Sequence, residues 1–152
     1  MKTEIFDLKL LIPTYYISLT VYKRLDIFTK AEYLDLIAEN LKFYSCKHGV
    51  KIYGYVLLTN QLFCICSTTK LLQFSYDFKG YTTKAILDLL ELDERYYLLN
   101  FLEQNKIRIW ERTTCIEVIT NINQLKEKLN HLSVKPVNAG FVKEPCHWKY
   151  SY

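Results

Sequence analysis

The chain carries two hydrophobic periods. Tyr15-Tyr16-Ile17-Ser18-Leu19-Thr20-Val21-Tyr22 is β-branched and aromatic and reads as a strand. Lys23 to Phe28 is a connection. Thr29 then stands as an N-cap with Glu32 at the capping-box position. Tyr33, Leu36, Ile37, Leu41 and Tyr44 fall at helical spacing, so a helix runs to about His48 and stops at Gly49. Val50 to Leu58 and Leu62 to Cys66 read as two further strands, turned at Thr59-Asn60. A second helix spans about Lys70 to Leu92, with Leu71, Phe74, Phe78, Ile86 and Leu89 or Leu90 on its apolar stripe. Asp93 to Asn105 predicts a short helix. Lys106 to Arg112 and Cys115 to Thr120 are strand candidates. Asn121 or Asn123 caps a last helix to about Leu132, and the segment from Lys135 to Val142 predicts a short turn or helix and an extended end.

This order, β-α-β-β-α-(α)-β-β-α, contains no repeated parallel βαβ unit. It predicts an α+β, ferredoxin-like architecture: a central antiparallel sheet of four or five strands with helices mainly on one face. No internal repeat or linker divides the chain, so residues 1–152 are read as one domain.

Composition narrows the classes. Half of the residues are hydrophobic, a quarter are charged, and four Gly and three Pro are too few for a disordered chain. Thirteen Tyr and eight Phe make it unusually aromatic. Twenty Lys+Arg against 16 Asp+Glu leave a net charge of +4, and the pI of about 8.7 permits a nucleic-acid partner without demanding one. The charged start Met1-Lys2-Thr3-Glu4 does not read as a signal peptide, so none is expected, and the apolar run Leu8 to Ile12 is interrupted by Lys9 and ends at Pro13. No window reaches the ~18 apolar residues of a membrane helix. Five cysteines, at 46, 64, 66, 115 and 146, show no repeated spacing, so a reducing cytoplasm with free thiols is expected.

Several segments carry a resemblance. They are Tyr15-Tyr16-Ile17-Ser18-Leu19-Thr20, Asp26-Ile27-Phe28-Thr29, Leu41-Lys42-Phe43-Tyr44, and Lys51 to Asn60 (KIYGYVLLTN). Asp77 to Leu87 (DFKGYTTKAIL), Ile109-Trp110-Glu111-Arg112, Gln124 to Leu129, Lys135 to Val142 (KPVNAGFV) and Trp148-Lys149-Tyr150-Ser151 complete the series. In order and spacing they resemble the small HUH single-tyrosine transposases, the group that includes the REP-associated tyrosine transposases. The resemblance implies DNA transposition and recombination chemistry on single-stranded or hairpin DNA, and a homodimer. In that chemistry a tyrosine attacks a phosphodiester and becomes joined to the 5′ end. Two histidines, at i and i+2 of a central strand and therefore on one face, hold a divalent metal.

This sequence departs from that pattern. Where the family has its histidines, the chain has Gln61 and Phe63, and Lys135 replaces the Asn of the Asn-Pro-Val segment. Gln61 offers one carbonyl oxygen and Phe63 offers nothing to a metal. The resemblance places the tyrosine at Tyr81. Without the metal this tyrosine lacks the charge stabilisation that is usually the largest catalytic contribution. The resulting expectation is a degenerate, transposase-like DNA-binding protein: the fold kept, the chemistry lost, no cofactor. Two alternatives stay open. One is a repurposed scaffold for a protein partner. The other is a still-active enzyme that recruits a metal such as magnesium through Gln61, a cysteine, or one of His48, His131 and His147.

The resemblance places Lys79, Lys84, Arg108 and Arg112 where the family brings its tyrosine helix and neighbouring strand to DNA; interleaved with Tyr81 and Trp110, they are the candidate DNA-binding residues. Asp77, Asp88 and Glu111 lie among them, so a solvated mixed face is the competing reading. Tyr81 also reads as a packing tyrosine, and Trp110 as a core residue ahead of a base-stacking one. Cys64 and Cys66 share a strand face, as half of a soft-metal site or, more simply, as small core residues. Glu32 with Asp35, and Asp93 with Glu94, read as capping and exposed helix residues.

Overall fold

The computed structural model describes residues 9–106, 108–144 and 149–150. Cys146, His147, Trp148 and Ser151, and the start of the chain through Leu8, lie outside the described residues.

Four antiparallel strands form one sheet: β1 (Lys9–Thr20), β2 (Lys51–Leu57), β3 (Gln61–Ser67) and β4 (Cys115–Asn121), in the order β2-β3-β1-β4. Four helices accompany them, α1 (Ala31–Lys47), α2 (Leu71–Leu92), α3 (Tyr96–Gln104) and α4 (Ile122–Ser133), followed by a one-turn α5 (Lys135–Asn138). The α+β class and the antiparallel sheet of the sequence reading are present.

Strand β3 is central and buried on both faces, which explains its unbroken run Leu62-Phe63-Cys64-Ile65-Cys66. Its alternation sorts the core into two layers. Leu62, Cys64 and Cys66 join Ile17 and Leu19 of β1 and Leu57 of β2 beneath Ile37 and Leu41 of α1, Phe74, Phe78 and Ile86 of α2, and Leu102 of α3. Phe63 and Ile65 face the other way, with Tyr16, Val56 and Ile119, and meet Leu125 and Leu132 of α4. Three of the four longer helices thus share the first face, and α4 covers the second.

Local chemistry sets the element ends. Gly49, with φ of +65°, ends α1 in the left-handed region that glycine tolerates. Asn121 caps α4, its side chain accepting from the Gln124 amide at 2.9 Å. The expected Thr29 cap of α1 is not formed. Lys30 occupies the cap position without a side-chain cap bond, and its ammonium instead pairs with Asp93 at 2.8 Å. Strand β1 also begins earlier than expected, running through Pro13, with the register shift between Lys9 and Thr14 on its β4 side.

Of the expected strand from Lys106 to Arg112, the described residues form a single bridge, Val21 with Trp110, flanked by Tyr22 N–H to Ile109 O (2.7 Å) and Glu111 N–H to Thr20 O (2.8 Å). The ladder cannot lengthen because Lys23 and Arg24 take φ of 54° and 55° and turn the chain away just beyond Val21. Trp110 is 3% exposed. Its ring lies 5.6 Å from Phe28 and 6.2 Å from Phe78, and its indole N–H donates to Thr82 Oγ1 at 2.9 Å. It is a core residue and presents no ring to a base.

Thr82→Val should destabilise the protein by about 1–3 kcal/mol, because it leaves the buried indole N–H without an acceptor. Urea unfolding checks this, and Thr82→Ser should restore most of the loss.

A second expectation concerns acid. Gln73 donates to Asp77 at 3.0 Å and His48 Nε2 lies 2.7 Å from the same carboxylate. The Gln73 bond first, then His48, hold the Asp77 carboxyl below its ordinary range, and Lys30 does the same for Asp93. A carboxyl that is more acidic folded than unfolded adds stability above its unfolded pKa of about 3.9, and that stability is lost as pH falls through the folded value. The unfolding midpoint should therefore drop below about pH 4. The double variant Asp77→Asn, Asp93→Asn should show a shallower decline; an unchanged slope would contradict this.

Candidate nucleic-acid interface

A concave surface lies between α2 and the 106–112 segment, with the end of α1 as its third wall. Its volume is about 750 Å³. Lys47, Lys79, Lys106, Arg108 and Arg112 line it, together with exposed Tyr76 and Tyr81 and the buried Tyr44. Asp77 and Glu111 are the lining carboxylates, and Asp77 is already engaged by His48 and Gln73.

The walls are tied together by Lys79. Its ammonium donates to the carbonyls of Glu111 (3.3 Å) and Arg112 (3.5 Å), and burial pushes its pKa down. Lys79 therefore positions the segment that carries Arg108 and Arg112. Arg108 lays its guanidinium 5.1 Å from the Tyr22 ring centre. Tyr81 is 52% exposed on α2, its ring 5.8 Å from Tyr44, whose own phenol pKa is raised by burial. Of the residues expected from sequence, Lys79, Tyr81, Arg108 and Arg112 come together here. Lys84 is exposed on α2 but does not line the groove.

Gln61 and Phe63 lie elsewhere. The period of β3 directs them to the second face, whereas α2 and Tyr81 pack on the first. The sheet separates Tyr81 from Gln61 and Phe63. Gln61 directs its amide nitrogen at Thr20 Oγ1 (3.3 Å), and Phe63 is a core ring 6.5 Å from Tyr16. The Lys135 ammonium sits 4.5 Å from the Phe63 ring centre, a positive charge beside these two residues. This donor set does not fit a divalent cation. Among the described residues no group of three or more His, Cys, Asp or Glu could hold a metal ion.

The other candidates have structural surroundings. Cys64 and Cys66 are fully buried side by side, and the bond to Cys66 together with burial raises the Cys64 thiol pKa. Cys115 pairs with Ser18 on the opposite face and is exposed. His131 is exposed on α4. Among the described residues, no helix is long and apolar enough to cross a membrane.

Sequence reasoning missed Lys47, Lys106 and Tyr76. Nothing in their local sequence distinguishes them; the packing of α1 on α2 and the left-handed turn at Lys106 (φ 67°) bring them to the groove.

No protein-family model matches the chain, and no curated protein matches it by sequence. Solved structures do match. A REP-associated tyrosine transposase bound to a REP hairpin aligns with a TM-score of 0.71 at 16% identity, over 99% of this chain and 81% of that one. A protein of Deinococcus radiodurans R1 designated a transposase aligns with a TM-score of 0.54 at 12% identity, over 87% of this chain and 98% of that one. At such identities the likeness concerns architecture, and on that architecture the chain has the tyrosine-transposase fold.

Proposed function

We propose that this chain is a transposase-like protein that binds single-stranded or hairpin DNA and does not carry out strand transfer. The observation that carries the proposal is the groove that gathers five cationic side chains, Lys47, Lys79, Lys106, Arg108 and Arg112, with two exposed tyrosines, Tyr76 and Tyr81. Cations neutralise phosphates, and exposed aromatic rings stack on unpaired bases of any sequence. The fold neighbour bound to a REP hairpin supports the choice of ligand. Lost chemistry is supported by the side chains at the former ligand positions: an amide turned to Thr20 and a core phenyl ring cannot polarise a scissile phosphate.

A labelled hairpin with a single-stranded flank, mixed with protein with and without magnesium or manganese at two salt concentrations, tests both halves. Binding should weaken with salt, with a log–log slope near −0.7 per phosphate neutralised on a single strand, and the double variant Arg108→Ala, Arg112→Ala should weaken it by roughly tenfold or more. No covalent product should form with wild type or with Tyr81→Phe. A metal-dependent adduct abolished by Tyr81→Phe overturns the inactive reading. Absent or salt-insensitive binding overturns the DNA reading.

One observation favours a second reading, a docking scaffold for a protein. Leu72 and Tyr76 on α2 are 81% and 77% exposed, and Ile116 and Val118 of β4 are exposed nearby on the same side of the sheet. Under that reading Leu72→Glu and Val118→Glu would leave DNA binding absent in all forms and abolish capture of the partner.

A further inference from the structure

A second pocket, of about 410 Å³, lies where the end of β1 meets the segment leading into β4. Arg24, Arg108 and Arg112 line it, with Thr20 and Glu111. Arg108 and Arg112 are shared with the larger groove, whereas Arg24 is not among that groove's residues. Among the described residues, none of the three guanidiniums is in an ion pair. The carboxylate of Glu111 already accepts from the Lys23 amide at 2.8 Å. Three forked cations therefore face one pocket with a single, engaged anion beside them.

The backbone that presents Arg24 is held against its preference. Lys23 and Arg24 both occupy the left-handed region, at φ 54° and 55°, which side-chain-bearing residues rarely adopt. Three tethers keep them there: Arg24 N–H to Val21 O (2.8 Å), Asn60 Nδ2 to Arg24 O (3.2 Å), and the Glu111 bond to Lys23. Arg108 is steadied on the Tyr22 ring. Such strain persists only where the surroundings over-determine it, and it concentrates at ligand clamps. Guanidinium forks match phosphate oxygens in a bidentate fashion.

We infer that this pocket binds a phosphate group through Arg24, Arg108 and Arg112. That the phosphate belongs to the strand in the adjoining groove rests on the proposed function. The source is either a terminal phosphate of that strand or an internal phosphodiester.

The test compares wild type with Arg24→Gln and Arg24→Gly; glycine accepts the left-handed backbone, so that variant removes the charge while relieving the turn. Fluorescence anisotropy is measured on one single-stranded oligonucleotide in three forms: with a 5′-phosphate, with a 3′-phosphate and with neither. Thermal unfolding is measured with inorganic phosphate against chloride at equal ionic strength. Both variants should lose roughly tenfold in affinity, with the salt slope reduced by about 0.7, and should lose the stabilisation by inorganic phosphate. A loss for all three oligonucleotides assigns the site to an internal phosphate, and a loss confined to one phosphorylated form assigns it to that end. Wild-type affinity together with wild-type stabilisation in both variants overturns the inference. If wild type binds no oligonucleotide yet inorganic phosphate stabilises it and neither variant, the DNA reading fails and the phosphate site stands.

Discussion

The groove depends on the burial of Trp110. Its indole fills the gap between Phe28 and Phe78, and its N–H reaches Thr82 of α2. A side chain of this size contributes a large apolar area, and the single polar atom has a partner inside the core. That anchoring holds the 108–112 segment against α2 although only one bridge joins the segment to the sheet. Lys79 then reaches across to the carbonyls of Glu111 and Arg112 from the same helix. Arg108 and Arg112 stand on one wall and Tyr76 and Tyr81 on the other because these contacts fix the distance between the walls.

The alternation of β3 decides what the site can do. Leu62, Cys64 and Cys66 face α2, so Gln61 and Phe63 must face α4. Phe63 completes an apolar layer with Tyr16, Val56, Ile65 and Ile119, and the Lys135 ammonium lies over its ring. Phe63 therefore serves packing and offers no atom to a metal. The groove that holds Tyr81, on the other side of the sheet, gathers cations and aromatic rings, the combination on which the proposed single-strand binding rests.

Much of the frame was legible from side-chain period alone. The helical stripe of Phe74, Phe78, Ile86 and Leu90, the hairpin of β2 and β3, Gly49 and Asn121 all stand where local chemistry puts them. The misreadings have tertiary causes. The 106–112 segment has strand composition but loses its partner strand after Val21, where Lys23 and Arg24 turn away. Thr29 has the right residue type for a cap, yet Lys30 takes the place while holding Asp93. Lys79, Arg108 and Arg112 were brought together by the resemblance alone, whereas Lys47 reaches the groove from a helix some thirty residues earlier and has no local signature. Tyr81 and Gln61 could be aligned with a motif, but which face each would occupy follows only from the packing of α2 on the sheet.

Hydrogen–deuterium exchange with and without a single-stranded oligonucleotide tests the central claim most directly, because it reports which face of the sheet meets the ligand. Slowed exchange over residues 76–84 and 106–112, with α4 and the start of β3 unchanged, is the predicted result. Slowed exchange confined to α4, α5 and the Gln61–Phe63 end of β3 would put the ligand on the opposite face and contradict the account.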